Sequence, residues 1–274
     1  MNSTLSLPSL IKDSLEGAVK MIVPSLPFLA LFAFASGYLA WSAQILPDTA
    51  MGTLMFALIT FAGLYAHCLF SVAMYRTMLP TSAGLYLTAW KLSLAWLLLI
   101  TATAVILSIF VLFFALIPTA LGTVMQAGIE PLSQETLQDV GPRELLGPVF
   151  WPTFVMFLFG LFGLFWFATR MITFAAATSS NGTVHVFRTW PWTKGHFKVI
   201  GPAMFLLIAI PVIALSLAAI AITRAIFGTD PTALQAGMSA ALTMIIMAPS
   251  AWLGHSLAGN IFKQIQPTPV DAAS

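Results

Sequence analysis

Six long stretches of the chain carry no charged side chain: residues 21–47, 49–75, 92–129, 145–169, 199–223 and 231–262. Each holds the roughly 20 apolar residues that a helix needs to cross a hydrocarbon core about 30 Å thick. A seventh stretch, 171–187, is interrupted by the polar run from Thr178 to Thr183 and keeps too little apolar length. The pattern predicts an all-α, polytopic transmembrane helical bundle with six spans, at about 21–43, 50–76, 92–117, 148–170, 199–223 and 235–262. Pro118 divides the long third run, so span three is expected to end near Ile117. An outer loop over 118–147 then follows, with a short helix around Ser133 to Val140. Upstream, Leu7, Leu10, Ile11, Leu15 and Ala18 recur at helical spacing opposite Lys12, Asp13 and Glu16. That is the pattern of a short interfacial helix over 5–19 on the cytoplasmic side, leaving Pro24 and Pro27 in the first turns of span one, where proline costs little. The whole reads as one transmembrane domain, 1–266, with a flexible tail at 267–274.

Composition narrows the class. Only 7% of the residues are charged and 59% are apolar, against roughly 25% charged in an ordinary soluble domain. The first apolar run is too long for the h-region of a cleaved signal, so it is expected to stay as a helix. Charge then sets orientation. With six spans, one side receives Lys12, Lys20, Arg76, Lys91, Arg170, Arg188, Lys194, Lys198 and Lys263, and the other only Arg143 and Arg224. Basic residues near helix ends stay in the cytoplasm, which places both termini inside. Arg224 and Asp230 are placed to pair across the outer turn between spans five and six. The single cysteine, Cys68, excludes an internal disulfide.

Two inner loops mix aromatic and basic residues. Thr81 to Lys91 ends on Trp90 and Lys91, beside Arg76; Thr183 to Lys194 carries Arg188, Trp190, Trp192 and Lys194, between Arg170 and Lys198. Tryptophan at headgroup depth and cations beside anionic lipid are both favourable, so these residues are candidates for lipid contact. The passage from Arg170 to Gly201 resembles a pattern in uncharacterised bacterial six-span inner-membrane proteins, in which a helix ends on arginine and an "A-W-x-x-T-[KR]-G-[NH]-x-[WKR]" stretch leads into the next helix. Those proteins are similar to the membrane region of some glycerophosphodiester phosphodiesterases. Arg76 with Leu85 to Lys91 echoes the motif one hairpin earlier, which suggests an internal duplication. The resemblance implies the six-span layout and a place in a bacterial inner membrane, and carries no chemistry with it.

Candidate chemistry is sparse. No carboxylate lies deep within a span, and the sequence offers no phosphate-binding glycine loop, zinc-type cluster or Ser/His/Asp set. No cofactor, metal or nucleic-acid partner is expected, and no enzymatic activity; the nearest approach to a catalytic cluster is His185 and His196 beside Lys194. Two histidines stand inside spans. His67 and His255 each fall about 12 to 14 Å from the inner boundary at 1.5 Å per residue. His67 shares a helical face with Thr60, Gly63 and Ser71, and His255 with Ala248, Ala251 and Gly259. Small residues on such stripes mark helix contacts, so both rings should point into the bundle and can meet there. Intramembrane ionisable groups are functional candidates because they are costly there, though a neutral imidazole is also satisfied by interhelical hydrogen bonds.

Two functions remain in competition. The first is a non-enzymatic membrane protein that engages lipid, a protein partner or a second copy of itself in envelope maintenance. The second is a small transporter or channel with a pathway past His67, Ser71, Thr60, His255 and Asn260.

Overall fold

A computed structural model describes residues 5–81, 83–125 and 150–266, and these are helical throughout their long elements. Helix α1 is Leu7–Ile45, α2 Ala50–Arg76, α3 Leu85–Met125, α4 Phe150–Met171, α5 Phe174–Asn181, α6 Phe197–Phe227 and α7 Ala233–Ile265. Among the described residues six helices are long and apolar enough to cross a membrane, α5 being the short continuation of the fourth. The chain is an all-α helical bundle. The expected outer loop and its short helix lie outside the described residues, apart from 118–125, as does the tail from 267 onward.

Several boundaries differ from expectation. No separate interfacial helix covers 5–19: that segment and the first span form one helix of 39 residues. Nothing between Glu16 and Met21 breaks the backbone ladder except Gly17, so the helix propagates, and Pro24 and Pro27 sit in its interior. Helix α3 begins at Leu85, which makes Trp90 and Lys91 helical residues, not loop residues. At its other end α3 continues through residue 118 to Met125 instead of stopping near Ile117. Arg224 and Asp230 form no ion pair; Lys12–Glu16, exposed at 4.0 Å, is the ion pair found among the described residues.

The helices form two compact units, one built from the described residues up to Leu97 and from Thr169 onward, the other from those between Leu98 and Ala168. In the smaller unit Gly160 lies against the Phe110 ring, leaving no room for a Cβ. In the larger unit α1 and α7 make the most extensive helix pair. They cross where Gly37 and Gly237 face each other: a Cβ on Gly37 would stand 2.8 Å from the Gly237 carbonyl oxygen, and one on Gly237 2.9 Å from the Gly37 carbonyl oxygen. Lipid tails are as apolar as leucine, so close backbone approach, not hydrophobic gain, holds such helices together. Nearer the other end Trp252 Nε1 donates to Ser25 Oγ at 2.9 Å. Met21, Leu29, Phe70, Met74 and Ala248 form a core between α1, α2 and α7.

Proline shapes two of these helices. Pro249 in α7 has no N–H for the carbonyl one turn earlier, and the adjacent Ser250 hydroxyl donates to Met247 O at 2.7 Å. In α6 a π turn over Phe205–Ala209 directly precedes Pro211, which could not have donated to Leu207 O in a regular helix. Helix ends are capped by sequence. Thr49 accepts from Gly52 N at the start of α2, and Thr232 with Gln235 makes a reciprocal capping box at the start of α7.

Replacing Gly37 by valine should lower the stability of the bundle by about 1–3 kcal/mol through overpacking at the α1–α7 crossing. Unfolding in a graded denaturing detergent checks it, and an unchanged midpoint would show that the two backbones do not meet there.

Candidate functional site

Helix α2 presents His67 and Ser71 one turn apart, and α7 presents Ala251 and His255 at the same spacing. His255 Nδ1 lies 2.8 Å from Ala251 O and its Nε2 lies 2.9 Å from Ser71 Oγ. A carbonyl oxygen only accepts, so Nδ1 carries a proton and donates to Ala251 O, while Nε2 shares a hydrogen bond with the Ser71 hydroxyl. Both ring nitrogens are thus occupied, and the ring is in contact with Tyr75 at 5.1 Å. His67 sits beside it, edge-on at 6.5 Å between centroids, with Phe32 at 5.0 Å and Trp96 at 5.8 Å. The two histidines are neighbours inside the bundle, and the hydrogen bond of His255 goes to Ser71, not to His67.

The rest of the expected midspan pathway is not assembled. Thr60 is exposed on the outer surface of α2 and returns its hydroxyl to Phe56 O at 2.8 Å. Gly63 has open space where a Cβ would stand and lines an apolar groove between α1 and α2 instead of a helix contact. Gly259 does meet a neighbour, with Met78 at 3.6 Å from its Cβ position. Asn260 is buried, its amide nitrogen has no partner among the described residues, and no hydrogen bond joins it to the histidines. No group of three or more metal-ligating side chains occurs among the described residues.

At one end of the larger unit the two basic-aromatic segments meet. Lys91 Nζ donates to Gly182 O at 2.5 Å, and Ser180 Oγ donates to Pro80 O at 3.0 Å. Gly182 ends α5 with a φ of 64°, a left-handed conformation that favours glycine, and this turns its carbonyl toward Lys91. The Arg76 guanidinium donates to Ala83 O and holds the first loop. Arg170 lies over the Trp190 ring at 5.4 Å and donates to Thr193 Oγ1 at 3.4 Å. The Thr193 hydroxyl in turn lies 3.2 Å from Arg170 O and 3.1 Å from Trp190 O. His185 is fixed by its own loop: Thr178 Oγ1 accepts from its backbone N–H at 3.0 Å, and Thr183 Oγ1 is 2.8 Å from Nε2. Its ring leads through Trp192 at 6.3 Å to Phe262 on α7. Burial, and secondarily the Arg188 charge beside it, holds the His185 imidazole below its ordinary range. Arg188, Lys194 and Lys198 are exposed, and Trp90 is half-exposed against Phe61.

The structure thus brings together Arg76, Trp90, Lys91, Arg170, Arg188, Trp190, Trp192, Lys194 and Lys198 on two joined segments. Sequence reasoning missed Ser180 and Gly182, which join the two segments, and Thr178 and Thr193, which brace the second one internally. Except for Thr193, their signal was visible as the polar run that disqualified a seventh span. No family model, characterised protein or solved structure matches this chain.

A double-mutant cycle on Ser71→Ala and His255→Ala should give a coupling of about 0.6 kcal/mol and no more than about 1.7 kcal/mol, the range of interhelical hydrogen bonds in membranes; zero coupling would show that the bond is not formed. For His185, an imidazole held low in the folded chain binds its proton more readily when unfolded. The loop is therefore fully stable above about pH 6.5 and loses stability as pH falls below that value. Amide exchange over 183–196 should show this, and His185→Gln should flatten the profile; an unchanged profile in that variant assigns the dependence elsewhere.

Proposed function

We propose that this integral membrane protein is a non-enzymatic, lipid-engaging component of the bacterial inner membrane, with its two joined basic-aromatic segments on the cytoplasmic leaflet and a role in envelope maintenance. One observation carries the reading. Residues 76–91 and 170–198 supply Arg76, Lys91, Arg170, Arg188, Lys194 and Lys198 without a single aspartate or glutamate. Cations on segments that carry no acidic residue are attracted, at headgroup depth, to an anionic leaflet by about 1 kcal/mol each near the surface. Trp90, Trp190 and Trp192 supply the amphipathic rings that suit the same depth. Transport past the histidines loses its supports, because Thr60 faces outward and His255 already uses both of its nitrogens.

The combined variant Arg188→Gln, Lys194→Gln, Lys198→Gln should lose at least about tenfold of its preference for phosphatidylglycerol over phosphatidylcholine, as three such contacts imply. Competitive lipid exchange into nanodiscs of the full chain measures it. An undiminished preference would remove the basis of the reading. Lys194→Cys, labelled from either side of sealed vesicles, tests the orientation, since Cys68 is buried.

A further inference from the structure

An open cleft of about 480 Å³ lies between the two segments, lined by Pro80, Thr81, Ser180 and Asn181. We infer that this cleft seats the phosphate ester of one anionic lipid headgroup, with the Lys91 ammonium as its counter-charge. The inference rests on the lipid-engaging reading and goes beyond it, from a diffuse basic surface to a single built site.

The walls are held in place independently of any ligand, because Ser180 Oγ donates across the cleft's base to Pro80 O. Two side chains on those walls keep donor capacity. The Thr81 hydroxyl makes no hydrogen bond among the described residues, and the Asn181 amide spends one N–H on a long 3.4 Å approach to His185 Nε2. The Lys91 ammonium rests on Gly182 O, the residue next to Asn181, and an ammonium has three N–H donors of which that carbonyl takes one. No carboxylate occurs in either segment to answer this charge. Neutral hydroxyl and amide donors with one point charge suit an oxygen-rich monoanion such as a phosphodiester. A headgroup bearing its own cation would meet Lys91 and Arg76 unfavourably. The lipid-borne source is favoured by the same segment that supplies Pro80 and Thr81: a few residues on, the first turn of α3 leaves Tyr86 at 69% and Leu87 at 53% exposure, an apolar surface on which acyl chains can lie.

The experiment is native mass spectrometry of the full-length protein released from membranes containing phosphatidylglycerol and phosphatidylcholine. The wild-type chain should retain one phosphatidylglycerol under conditions that strip the rest. Thr81→Val with Asn181→Leu should reduce that retained population about tenfold, while the bulk preference set by Arg188, Lys194 and Lys198 persists; Lys91→Gln should do the same. The triple glutamine variant should behave in the opposite way, losing bulk preference and keeping the single lipid. Retention unchanged in both cleft variants overturns the cleft while leaving the lipid-engaging reading intact. No preference for the anionic lipid anywhere overturns both. Glycerol 3-phosphate, added as a soluble competitor, separates the two sources: displacement of the retained lipid supports a phosphate-ester site occupied by lipid. Binding of the soluble ester to a chain that retains no lipid overturns the assignment to a headgroup.

Discussion

Helices α1 and α7 lie close because two glycines meet at their crossing, and most of the larger unit is arranged around that contact. A side chain on either Gly37 or Gly237 would press on the other's carbonyl within 3 Å. In a bilayer no apolar area is gained by hiding one helix from water behind another, so attraction must come from dispersion at short range and from polar bonds that have no better partner. The glycine crossing supplies the first. Trp252 donating to Ser25 and His255 bonded to Ser71 supply the second, tying α7 to α1 and to α2 respectively.

This economy explains why the spans contain so many hydroxyls and so little chemistry. Ser14, Ser25, Ser42, Ser93, Thr103, Thr223 and Ser250 each return a proton to a carbonyl three or four residues earlier and thereby cross the hydrocarbon satisfied. His255 follows the same logic with a heavier group: one nitrogen turns to its own helix, the other to a neighbour. What remains distinctive lies on the two joined segments at one end of the unit, which carry six cations and no carboxylate of their own.

The hydrophobic pattern made the helical class and the number of candidate spans legible, because charge spacing is a one-dimensional property that a bilayer reads almost directly. Helix ends were less legible. Pro118 and Pro24 looked like boundaries, yet in a long apolar run the backbone has no alternative partner and the helix continues past them. The histidine stripe was half right. Ser71 and Gly259 meet neighbouring helices as spacing required, whereas Thr60 is exposed and Gly63 borders a groove between α1 and α2. The basic loops were visible as composition; that Lys91 and Gly182 would meet was not, since nothing in either segment alone records a contact between residues 91 positions apart.

The seam between those segments has a consequence for biosynthesis. A chain emerging from its amino end completes the α2–α3 hairpin well before Ser180 and Gly182 are made, so Pro80 and Lys91 wait for partners about a hundred residues downstream. Helix α7, made long after α1, is the one that packs on it. The spans between them can therefore be placed before that contact closes, and α1 must remain laterally available in the bilayer until α7 arrives to cover Gly37.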